Sequence, residues 1–166
     1  MALGYRYHSL SDILREELAA RGVEEGRDAL REIGNELRQA GGPGALARRL
    51  LKRLSDGHDH IVDSIRNPAE VVELRTVPGF SLVAVDAPAR VRYERLRLRD
   101  RIGDPDTWEA FQEMEAAELA SDDPTTQQLV ATLAMADHSI ENSGPMSELD
   151  ALLGGLLERL QEGREG

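Results

Sequence analysis

The six residues Ser81-Leu82-Val83-Ala84-Val85-Asp86 constrain the fold of this chain more than any other stretch. The run is short and almost uninterrupted in apolar residues. That pattern belongs to a strand buried on both faces of a parallel sheet, and such a sheet needs helices on each side. Three weaker strand patterns accompany it: Tyr5–Ser9, His60–Asp63 and Asp137–Glu141. Apolar spacing predicts helices over about residues 10–20, 26–39 and 45–54, with Gly22 and the GGPG at 41–44 as stops. Pro68 opens a helix to about Arg75, and Ala87-Pro88 leads into one ending at Arg99. Further helices are expected over 107–119, 126–135 and 147–161. Short strands alternating with helices predict an α/β domain over residues 1–166, a three-layer parallel sheet flanked by helices.

Composition narrows the function. A net charge of −11 opposes general binding to nucleic acid or to an anionic membrane, because phosphate surfaces attract basic proteins. No apolar run is long enough to span a bilayer, and the start MALGYRYHS lacks the basic-then-apolar pattern of a secretory leader. The absence of cysteine removes disulfides and thiolate metal sites and makes a cytoplasmic location the expectation. The four histidines show no ligand spacing, so no protein-held metal is expected. Against the acidic background, six arginines fall between Arg90 and Arg101.

Four segments in order resemble the nucleoside-monophosphate kinase and dephospho-CoA kinase group of P-loop kinases. They are Ser11-Asp12-Ile13-Leu14-Arg15 after a strand, Val62 to Asn67 (VDSIRN), Val85-Asp86-Ala87-Pro88 with the arginine run, and Ala136 to Asn142 (ADHSIEN). The resemblance implies a P-loop NTPase-like fold that transfers the ATP γ-phosphoryl group to a nucleotide-like acceptor, a nucleoside monophosphate or dephospho-CoA. Acceptor-binding helices would span about 10–55 and a lid about 95–120. By resemblance, Arg15 and Arg66 hold the acceptor phosphate, and Arg99 with Arg95 or Arg101 closes from the lid. Asp12 orients or deprotonates the acceptor hydroxyl, Asp63 sits near Mg²⁺, and Asn142 belongs to the ATP-side exit loop.

One part of the family pattern is missing. No G-x-x-x-x-G-K-[ST] phosphate cradle occurs in the 166 residues. In the family's strand order, 2-3-1-4-5, the four strand patterns here match strands 2, 3, 4 and 5. Strand 1 and its loop have no counterpart, so the expectation is an N-terminally truncated and impaired form, lacking about twenty-five residues. ATP and Mg²⁺ are expected for the complete family member. The alternative is an inactive nucleotide-binding or protein-interaction module, with helix 147–161 as the docking element. Assembly into a homo-oligomer is left open. Blander roles also exist for the same residues: Asp12 and Arg15 are spaced as an i,i+3 surface pair, and the arginine run can bridge to the acidic 109–118 segment.

Overall fold

The computed structural model describes residues 4–54, 57–99, 104–119 and 123–163. Among them run four strands and eight helices, alternating as β1 (Arg6–Ser9), α1 (Leu10–Arg21), α2 (Arg27–Gly41), α3 (Ala45–Leu51), β2 (His60–Asp63), α4 (Pro68–Leu74), β3 (Val83–Asp86), α5 (Ala89–Arg99), α6 (Trp108–Leu119), α7 (Leu129–Leu133), β4 (His138–Glu141) and α8 (Met146–Glu162). No helix among the described residues is long and apolar enough to cross a membrane.

Local chemistry sets the element ends. The Ser9 hydroxyl caps α1 by accepting from the Ser11 amide, and Gly22 closes that helix in the left-handed region at φ 68°. Asn67 and Glu70 form a reciprocal capping box at the start of α4, with Pro68 in the first turn. Helices α1, α2 and α3 pack together around Leu10, Ile13, Leu14, Ile33, Leu46 and Leu50, and Val62 of β2 packs against this cluster. A smaller aromatic cluster ties α6 to α5: Trp108 and Phe111 stack at 5.5 Å, and both lie against Tyr93. Packing is therefore the role these rings take.

The sheet is where the structure departs from the expected arrangement. The strands form two separate parallel pairs, β1 with β2 and β3 with β4. Helix α4 connects β2 to β3, yet those two strands are not hydrogen-bonded neighbours. The run 81–86 is accordingly not buried on both faces. Leu82 is buried, but Val85 is 49% exposed. β3 has its strand partner in β4, and the face bearing Val85 is incompletely covered. The other pair shows the same incompleteness. Tyr7 and Ile61 are register partners and share a face, and they are 63% and 44% exposed. Their neighbours His8 and Val62 point the opposite way, the side on which Val62 meets the α1–α3 core.

Candidate functional site

The carboxyl ends of the strands gather the polar residues, as expected for parallel pairs followed by helices. At the β1–β2 end, Ser9 and Asp63 are register partners. The Tyr7 hydroxyl donates to the Asp63 carboxylate, which holds the phenol above its ordinary pKa, and the Ser9 hydroxyl donates to Ser64 Oγ at 3.1 Å. Ser64 sits at φ 61°, the one non-glycine residue with positive φ among the described residues. A left-handed serine immediately after a strand is a strained connection of the kind that collects at binding loops.

Behind that loop lies a buried ion pair. Arg38 Nη2 and Nε donate to Glu70 Oε1 at 2.8 and 3.0 Å. Glu70 Oε2 accepts from the amides of Arg66 and Asn67 at 3.0 and 3.1 Å. Both partners are almost wholly buried, so each carboxylate lone pair has a fixed donor. Asn67 Nδ2 then donates to the carbonyls of Pro124 and Thr126, both at 2.8 Å. The Gln128 amide donates to the Arg66 carbonyl at 2.8 Å, and Arg66 Nη1 donates to Gln127 Oε1 at 3.1 Å. Arg66 is thus presented by a loop clamped from below by α2 and α4 and from the side by residues 124–128. The sequence reading named Arg66 but missed Arg38, Asn67 and Glu70. The N-P-x-E spacing of a capping box was available as a signal for the latter two.

The other expected site residues divide between the two strand pairs. Asp12 and Arg15 meet on α1, where Arg15 Nη1 donates to Asp12 Oδ1 at 2.7 Å. Arg15 Nε also donates to Glu25 Oε1 at 2.9 Å, and these carboxylates raise the guanidinium pKa further, Glu25 most. Arg95 and Asn142 come together at the β3–β4 end: Arg95 donates to the carbonyls of Asn142 at 2.6 Å and Gly144 at 3.0 Å, and the Asn142 amide donates to the Asp86 carbonyl at 2.6 Å. Arg99 pairs with Asp104 at 2.9 Å. Asp104 is also reached by Arg27 at 3.4 Å, two residues beyond the Glu25 that holds Arg15. Arg101 lies outside the described residues. The bridge from the arginine run to the acidic helix is made by Arg92, bidentate on Glu115 at 2.7 and 2.8 Å and bonded to Asp86 at 2.7 Å.

Two clefts flank β4. One, of about 650 Å³, lies between β4 and α8 and is lined by His138, Glu141, Glu148, Leu152 and Arg159 among others. The second, of about 600 Å³, runs beside Ala84, Asp86, Arg92 and Ile140. Residues of the resembling segments 85–88 and 136–142 line these clefts, but none of the residues assigned a site role from the sequence does. Among the described residues no group of three or more His, Asp or Glu side chains converges as a metal site.

Fold and site together define a mixed α/β protein of two parallel strand pairs, with arginines beyond the strand ends held by carboxylates, an amide and backbone carbonyls. No protein-family model matches the chain. It is 34% identical over 161 residues to a UPF0200 protein of Hyperthermus butylicus, covering 96% of this chain and 83% of that relative. It is 32% identical to a UPF0200 protein of Thermococcus gammatolerans, covering 96% and 85%. A UPF0200/UPF0201 protein of Archaeoglobus fulgidus is 32% identical over 148 residues, and there the chain covers 44% of the relative. The chain belongs to the UPF0200 family. That family name states no activity.

Proposed function

We propose that this chain is the acceptor-binding portion of a P-loop-type phosphotransferase that moves the ATP γ-phosphoryl group to a nucleotide-like acceptor, a nucleoside monophosphate or dephospho-CoA. The observation that carries the reading is the break in the sheet. The two parallel pairs, β1–β2 and β3–β4, are the neighbours that the order 2-3-1-4-5 leaves when strand 1, the bearer of the phosphate cradle, is taken out. The exposed apolar residues Tyr7, Ile61 and Val85 add support, since a strand-plus-helix unit set into the break would cover such a face.

The residues present suit an anionic acceptor. Arg15 lies in α1, the helix that follows β1, and Arg66 in the loop that follows β2, the strand paired with β1, and guanidinium forks grip phosphate oxygens bidentately. Asp12 neighbours Arg15, where an acceptor hydroxyl held by the same ligand comes within its reach. The residues do not suit the ATP phosphates and Mg²⁺. No stretch of the 166 residues supplies the glycine-rich cradle, and no cation-binding cluster forms among the described ones. Transfer therefore depends on a phosphate cradle from outside these residues, and in this reading the chain alone binds the acceptor without phosphorylating it. A cytoplasmic location, favoured by the absence of cysteine, belongs to the same proposal.

Thermal unfolding with added ligand tests it. Adenosine monophosphate or dephospho-CoA should raise the melting temperature, and ATP with Mg²⁺ should do so less. Arg15→Ala and Arg66→Ala should abolish the response. Indifference of the protein to every nucleotide overturns the reading and favours a protein-interaction module.

A further inference from the structure

Asp104 is held by two guanidinium groups from different elements. Its carboxylate accepts from Arg99 Nη2 at 2.9 and 3.1 Å and from Arg99 Nε at 3.3 Å, at the end of α5. It also accepts from Arg27 Nη1 at 3.4 Å, at the start of α2. The Asp104 side chain is 11% exposed, whereas those of Arg27 and Arg99 are 38% and 45% exposed. An anion sits inside, and the cations that hold it form the rim. The position of Asp104 is set by its neighbours. Tyr93 donates to the Asp106 carbonyl at 3.0 Å, and Trp108 and Phe111 anchor the next turn on Tyr93.

We propose that Arg27 and Arg99 form a seat for a phosphomonoester, and that Asp104 fills this seat as an internal stand-in which the ligand must displace. The inference rests on the proposed acceptor-binding role and adds Arg27 and Asp104 to it. A carboxylate offers two oxygens and one charge. A phosphomonoester offers three oxygens and up to two charges, so it satisfies two guanidinium forks more fully. Glu25, two residues before Arg27, holds Arg15, which puts the seat beside the arginine already assigned to the acceptor. Displacing a paired carboxylate lowers apparent affinity by the fraction of molecules in which the seat is open. The competing view is an exposed ion pair of small energetic weight and no binding role.

Calorimetric titration of the full chain with adenosine monophosphate, and separately with inorganic phosphate at low salt, tests the seat. Asp104→Asn removes the competing charge and should tighten binding by about threefold or more, while Arg27→Ala should weaken it by about the same factor. Glu94→Gln makes the same change in net charge on α5, at a carboxylate paired with Arg90 at 3.6 Å, and should leave affinity within about twofold. Circular dichroism melts check folding, and if Arg27→Ala unfolds, Arg27→Lys reads the loss of the fork. Equal tightening by Asp104→Asn and Glu94→Gln would mean a net-charge effect and overturn the seat. Unchanged affinity in Asp104→Asn and Arg27→Ala, with loss in Arg15→Ala and Arg66→Ala, overturns the seat and leaves the acceptor-binding role intact. Binding of dephospho-CoA alone, titrated in the same way, with neither adenosine monophosphate nor inorganic phosphate bound by the unmodified protein or by Asp104→Asn, overturns the seat and leaves the acceptor-binding role intact; no binding of any of the three overturns both.

Discussion

At the scale of single residues, Glu70 is the position on which the β2–α4 loop depends. It is wholly buried, it neutralises a guanidinium that is 3% exposed, and it accepts from two loop amides. Removing one member of such a pair leaves an uncompensated buried charge. Glu70→Ala is therefore expected to cost about 3–5 kcal/mol in chemical denaturation, and a loss under about 1 kcal/mol would show that water replaces the carboxylate. Gly44 is a second sensitive position. A Cβ there would lie 2.6 Å from Glu73 Cγ and 3.0 Å from Arg48 Nη1, whose side chains are themselves bonded to each other. Gly44→Ala should lower stability by about 1–3 kcal/mol through this overpacking, with an unchanged far-ultraviolet spectrum.

At the scale of elements, α1, α2 and α3 are joined by apolar contact inside and ion pairs outside. Glu16 is held below the ordinary carboxylate range by Arg53, Glu17 by Arg21 and then Arg49, and Glu36 by Arg21. Arg21 with Glu36, Arg49 with Glu17 and Arg53 with Glu16 join different parts of the chain, whereas Arg21 with Glu17 is an i,i+4 pair within α1. Because the folded pKa values are depressed, the stabilisation is full above the unfolded carboxylate range. It is lost as pH falls through that range to the lower folded values. The melting temperature should hold between about pH 7 and 5 and fall below about pH 4.5, and equal melting temperatures at pH 7 and 3.5 would exclude these pairs as contributors. Added salt at pH 7 should weaken the same exposed pairs, since they lie in solvent where counterions screen them.

At the scale of the whole molecule, the strands divide into two pairs, with no hydrogen-bonded pairing between β2 and β3. Each of these strands has a hydrogen-bonded partner on one side, and exposed apolar side chains lie on the faces of both pairs. Hydrogen exchange should divide the amides of residues 60–63 and 83–86: those bonded to β1 or β4 are protected, and those facing the break exchange with solvent. A longer form of the protein that carries a phosphate cradle should protect the second set as well. Their continued fast exchange in such a form would disprove the insertion of a strand.

Much of this architecture was legible in the chain because its signals are local. Gly22, the Pro68 start and the apolar stripes of α1 and α8 depend on residues within a turn or two, and the structure places those helices within a residue of the expected bounds. The sequence also showed that no phosphate cradle is encoded in it. Other features needed the tertiary structure, because they depend on residues far apart along the chain. Arg38 finds Glu70 across 32 positions, and Arg27 finds Asp104 across 77. No local pattern marks either arginine. Whether 81–86 is covered on both faces depends on what stands beside it, so a run that reads as central ends with Val85 half in solvent. The alternation of strand and helix was determined residue by residue; the pairing of strands into two parts, and the partner each arginine takes, were decided only when distant segments met.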